Sequence, residues 1–210
     1  MTQELLSKNA RTQLTRSMLR FPHFTRHLLG IQMRPYQLKV AEAVLRSVFA
    51  HDGKSFVVIF SRQSGKDELL ADLFLFLLFR LQEFNASIVC AQPTFKPQTV
   101  NAMERLLTRG APFRRITRTA GYIIRLGTAR LLYFSADPAA SVVGATASHL
   151  LVINEAQDVE PSIYDKRFSP MAASGNATRI FSGTSWTSDS LLERERRAAL
   201  SAEEKDGIQR

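Results

Sequence analysis

The sequence predicts an α/β domain with a mainly parallel central sheet, and three observations carry that expectation. Short apolar, β-branched runs recur along the chain at residues 55–60, 87–91, 150–153 and 178–181. Helical stretches separate them, and each run ends in a polar loop. Strands alternating with helices produce parallel sheets whose ligands gather at the carboxyl ends of the strands.

Residues 1–30 carry Lys8, Arg11, Arg16, Arg20 and Arg26 against the single acid Glu4, with apolar residues in no sustained helical period. They read as a basic N-terminal arm. A helix is expected to start near Pro35, a residue suited to a first helical turn, because Leu38, Ala41, Leu45 and Val48 then share a face. The run 55–60 reads as a strand buried on both faces. A loop, Ser61-Arg62-Gln63-Ser64-Gly65-Lys66, follows, and from Lys66 a helix apolar nearly all round should extend to about residue 84. That order is a nucleotide-binding βα unit. Residues 97–109 are expected to be helical, and 116–119, 122–126 and 131–135 to be short antiparallel strands split at Gly121 and Gly127.

Composition narrows the partners. Hydrophobic residues make up 45% and charged residues 22%, as in an ordinary globular domain. No apolar run approaches the roughly 18 residues of a bilayer span, and the N-terminus lacks the apolar centre of a signal peptide. A cytoplasmic location is expected. Lys and Arg outnumber Asp and Glu 28 to 19, a formal charge of +9 that favours polyanions, nucleic acid first. Seven arginines lie between Arg105 and Arg130 with no acid among them, so Arg114, Arg115, Arg118 and Arg125 are the candidate DNA contacts.

The chemistry concentrates in two places. Phosphate binding needs inward N–H groups at a helix N-terminus, a glycine for close approach and a lysine for the terminal phosphates, and Gly65-Lys66 after a strand supplies them. The full pattern G-x-x-x-x-G-K-S/T is not met: Phe60 stands at the first glycine and Asp67 at the hydroxyl position. Glu155, at the end of the strand 150–153, is placed to hold an attacking water. Either feature alone also occurs as an ordinary turn or an exposed acid; their joint appearance on two strands in this order makes the site.

Together, Arg34-Pro35-Tyr36-Gln37, the lysine loop 61–66, the run 150–157 ending Asn154-Glu155-Ala156-Gln157, and Ser182-Gly183-Thr184 resemble the ATPase domain of phage terminase large subunits, which package DNA into capsids. The resemblance spans roughly residues 31–205. It implies a P-loop NTPase fold of RecA-like type, a three-layer sandwich with added antiparallel strands. It implies ATP and Mg²⁺ as cofactors, with Tyr36 and Gln37 on the adenine, Ser61, Arg62, Gln63, Ser64, Gly65, Lys66 and Asp67 around the phosphates, and Arg62 as the arginine acting in cis. Lys66 and Glu155 would be catalytic, and Ser182, Gly183 and Thr184 would sense loss of the γ-phosphate.

It further implies double-stranded DNA, a portal protein and a small terminase subunit as partners, a homo-oligomeric ring during packaging, and action in the host cytoplasm on the procapsid. Residues 31–210 would be the ATPase domain, with the C-terminal nuclease domain absent from this chain. In the usual pattern a hydroxyl follows the lysine and an Asp precedes the catalytic Glu; here Asp67 and Asn154 stand there, a pair we read as a swapped Mg²⁺ site. An arginine usual before the glycine at 144 is replaced by Val143. The rival expectations are a nucleotide-sensing, DNA-binding module with little turnover and a helicase-like translocase domain.

Overall fold

A computed structural model describes residues 20–94, 99–111, 115–140, 142, 144–184 and 187–207. The chain runs through α1 (Phe21–Leu28), α2 (Pro35–Ala50), β1 (Ser55–Ile59), α3 (Lys66–Arg80), β2 (Ser87–Gln92) and α4 (Val100–Arg109). A meander follows, β3 (Thr117–Thr119), β4 (Ile123–Leu126) and β5 (Ala129–Ser135). Then come β6 (Leu150–Asn154), a 3₁₀ turn (Ala156–Asp158), α5 (Pro161–Ile163), a π-helical turn (Tyr164–Phe168), α6 (Ser169–Ala173), β7 (Thr178–Gly183) and α7 (Leu191–Asp206).

The seven strands form one sheet in the order β1-β7-β6-β2-β5-β4-β3. Its first five strands are parallel, and the β5–β4 and β4–β3 pairs are antiparallel. Side chains alternate between two apolar layers, as a strand's period of two requires. Ile88, Cys90, Val152 and Ile180 face a core closed by α1–α4, while Val89, Ala91, Ile153 and Phe181 face one closed by the 161–173 helices and α7. This three-layer sandwich is the α/β layering that the strand–helix alternation predicts and is the P-loop NTPase fold that the resemblance implies. In α3 every residue from Leu69 to Leu78 is buried. Each such leucine contributes about 1.5–3 kcal/mol relative to exposure, so this helix anchors the layer. Among the described residues no helix is long and apolar enough to cross a membrane.

Three expectations are corrected. The stretch around residue 25 is not without helical period: α1 places Phe21 and Phe24 against Phe76 of α3, ring centroids 5.4 and 5.2 Å apart. Residues 1–19, with most of the basic arm, lie outside the described residues.

Next, β1 is not buried on both faces. Phe56 and Val58 are buried in the core under the helices, whereas on the other face Val57 is half-buried and Ile59 is 41% exposed. The third concerns the arginines between 105 and 130, which are not all unopposed. Arg105 pairs with Glu68 at 2.9 Å, and Arg109 pairs with Glu68 and, at 2.5 Å, with the fully buried Asp72. The neutralising acids come from α3, far away in sequence but facing α4 in space.

Candidate functional site

Strand β1 delivers the chain to the loop 61–65, and α3 carries it away. Gly65 sits in the left-handed region at φ +83°, and a Cβ there would meet Gln37 Nε2 at 2.7 Å, so glycine is required twice over. Neighbouring α2 fixes the loop from behind: the Tyr36 hydroxyl donates to Ser64 O at 2.7 Å and Gln37 Nε2 to Gly65 O at 3.0 Å. Gln37 Oε1 accepts from Arg34 N at 2.9 Å, so both ends of this buried amide are engaged. Gln63, also at positive φ (61°), and Arg62 lie on the outer rim of the loop.

Glu155 follows β6 in the left-handed conformation, φ 52° and ψ 47°. Non-glycine residues rarely adopt it, and where they do they cluster at functional sites. The turn brings the carboxylate over the loop: Lys66 Nζ lies 2.5 Å from Glu155 Oε1, and Gln157 Nε2 donates to Oε2 at 2.8 Å. Burial alone would raise the Glu155 pKa. The Lys66 ammonium, the Gln157 amide and the nearby Arg62 charge outweigh it and hold the carboxyl below its ordinary value.

Asp67 and Asn154 meet. Asn154 Nδ2 points at Asp67 Oδ1 at 3.4 Å, and Asn154 Oδ1 accepts from the Ser182 hydroxyl at 2.8 Å. Register explains this, since Asn154 and Ser182 are paired across β6 and β7. The donor set suits Mg²⁺, a hard cation that takes one or two carboxylates and fills its remaining positions with phosphate oxygens and water. Asp67 offers the carboxylate at the cleft, while Asn154 turns its oxygen to Ser182 and its N–H to Asp67, holding that carboxylate in place.

The lysine loop, Asp67 and Glu155 line one cleft of about 630 Å³ at the carboxyl ends of β1, β6 and β7, and the buried Asn154 is not on its wall. Ser61, Arg62, Gln63, Ser64, Gly65, Lys66, Asp67, Glu155 and Thr184 are on its wall. Tyr36 and Gln37 stand behind the loop, and Ser182 and Gly183 are buried beneath the floor. Four wall residues that the sequence reading missed are Glu68, Arg105, Gln157 and Asp158. Only Gln157 and Asp158 carried a signal, as neighbours of Glu155.

Of the expected DNA contacts, Arg115 and Arg118 are exposed and Arg125 is half-buried on β4, with Arg118 donating to Gly121 O at 2.8 Å. They occupy the β3–β4 side, the opposite edge of the sheet from β1. Arg114 and Val143 lie outside the described residues.

No protein-family model matches the sequence, and no curated protein does. Solved structures do. The ATPase domain of the Thermus phage P74-26 large terminase matches with TM-score 0.61 at 19% identity, over 77% of this chain and 69% of that one. The bacteriophage HK97 large terminase matches with TM-score 0.68 at 18% identity, over 84% of this chain and 38% of the other. A large terminase from a thermophilic bacteriophage, solved in complex with ADP, matches with TM-score 0.56 at 17% identity, over 72% and 39%. The chain thus spans 38% and 39% of the latter two large terminases, and what it shares with all three is the fold.

Proposed function

We propose that this chain is the ATPase domain of a phage terminase large subunit, hydrolysing ATP to drive double-stranded DNA into a procapsid. The observation that carries the reading is the Lys66–Glu155 pair. A lysine at the head of α3 and a carboxylate at the end of β6 meet over a loop of the shape that receives phosphates. The terminase fold and the ADP bound by one structural neighbour support it.

In this mechanism ATP enters the cleft with its phosphates on the loop N–H groups and the α3 N-terminus. Lys66 exchanges its carboxylate partner for phosphate oxygens, releasing Glu155 Oε1 to accept a hydrogen bond from water. That water attacks the γ-phosphorus as the bond to the β,γ-bridging oxygen breaks, giving ADP and inorganic phosphate, and Glu155 holds the proton that the water gives up. Arg62, within the loop, offsets charge on the transferring group. Asp67 would hold Mg²⁺, which supplies charge neutralisation between the phosphates. Tyr36 and Gln37 keep the loop in shape through Ser64 and Gly65. DNA, the portal protein, a small terminase subunit and a ring of copies complete the reading, with Arg115, Arg118 and Arg125 as the basic face toward DNA.

Phosphate release and nucleotide binding, measured with Mg²⁺ and DNA, test this. Lys66→Ala should abolish nucleotide binding in a folded protein. Glu155→Gln should keep it and slow hydrolysis on the order of a hundredfold or more, the effect of removing a positioned base. Binding without turnover in the parent chain would instead favour the sensing module.

A further inference from the structure

Among the described residues, the side chain of Gln157 touches both the Glu155 carboxylate and the loop leaving β7. Its Nε2 donates to Glu155 Oε2 at 2.8 Å and to Asp158 Oδ2 at 3.0 Å. Its Oε1 accepts from the backbone N–H of Thr184 at 3.2 Å. The amide has only one workable orientation, because a flip would turn its oxygen onto two carboxylates and its NH₂ onto an N–H donor.

The surroundings are built around this contact. Gly183 packs so close that a Cβ there would collide with Gln157 Oε1, and it would lie 2.9 Å from Leu192 Cδ2 of α7. The two oxygens of Glu155 have different partners, Lys66 on Oε1 and Gln157 on Oε2. When phosphates draw Lys66 away, Oε1 is freed for water, and Gln157 becomes the protein group that fixes the carboxylate plane.

We propose that Gln157 is a positioning residue: it sets the orientation of Glu155 for the attacking water and makes that orientation depend on the backbone position of Thr184. This rests on the ATPase reading given above. Glu155 geometry and the β7–α7 connection are then two ends of one three-atom amide. A shift of the loop on phosphate release turns the carboxylate, and a misplaced carboxylate strains the loop.

Three variants test the proposal in the full chain, with nucleotide affinity, KM and kcat measured separately and thermal melting as the folding control. Gln157→Ala should leave ATP affinity and KM within about twofold and lower kcat on the order of tenfold or more, the loss expected for one hydrogen bond to a charged group. Gln157→Glu separates the two halves of the bridge. It retains an acceptor for Thr184 N–H but sets a negative charge where Glu155 had a donor, so kcat should fall further than in Gln157→Ala. Gly183→Ala should reproduce the kcat loss by displacing the amide, and should add little when combined with Gln157→Ala.

Parent-like kcat in Gln157→Glu beside a loss in Gln157→Ala would mean that the residue serves only the loop, and would overturn the proposal. Parent-like kcat in both would overturn it too. A parent chain that binds ATP without hydrolysing it sinks the ATPase reading itself, a result distinguishable from either.

Discussion

At the level of single residues, the proposed Mg²⁺ site turns on the position after the lysine. A carboxylate stands at 67 where a hydroxyl is usual, and an amide at 154 where a carboxylate is usual. The two side chains face each other, with Ser182 behind the amide. Asp67→Asn removes the only carboxylate of the pair, so Mg²⁺-dependent turnover should disappear while folding persists. Adding Asn154→Asp to Asp67→Thr should restore it. Mg²⁺ titrations of phosphate release check both, and unchanged Mg²⁺ dependence in Asp67→Asn would refute the swap.

The residues of this site that could be read from the sequence are those whose partners are local. Gly65 and Lys66 are legible because a turn and a helix start are written into adjacent positions, and Glu155 because it ends an apolar run. For Gln157 only its place beside Glu155 was legible; its acceptor role was not, since that joins it to Thr184, 27 positions away. The engagement of Gln37 by Gly65 was likewise hidden, because it depends on α2 lying behind the loop.

Among the elements, α3 and α4 show how charge reads differently in one dimension and in three. Arg105 and Arg109 were part of an unopposed basic run in the sequence, yet Glu68 and Asp72 meet them from α3. Asp72 is fully buried, and burial pushes its carboxyl to about 7. Arg109→Met would strand that carboxylate and should cost about 3–5 kcal/mol at a pH near 8, the penalty for breaking one side of a buried pair.

The sign follows from the raised pKa. A proton on Asp72 favours the folded state, so the loss should shrink as pH falls toward about 4, and Asp72→Asn should recover much of it at high pH. Chemical denaturation of the single and double variants across pH measures this. The α1 helix escaped the sequence reading for a related reason. Eight residues offer two buried phenylalanines and no acid in the first turn, too short a pattern to separate from a basic tail until α3 supplies the apolar surface.

For the molecule as a whole, alternation of strands and helices predicted the layers but not the order of the strands. That order depends on which crossover packs beside which, and short apolar runs of similar composition do not record it. The outcome puts the two chemical halves of the cleft on strands of unequal support. Glu155 leaves β6, which has neighbours on both sides, and Lys66 follows β1, which has only β7. Opening fluctuations in a sheet start where pairing is one-sided. Amide hydrogens of 56–59 should therefore exchange with solvent faster than those of 151–153 in the free protein. Bound ATP should slow the first group far more than the second, because it grips the loop that β1 carries. Exchange followed by mass spectrometry or NMR would resolve the two sets, and equal protection of both before nucleotide is added would contradict it. In the proposed ATPase, nucleotide would then act as a missing neighbour for the outermost strand, and occupancy of the cleft would be felt as rigidity along that whole margin of the sheet.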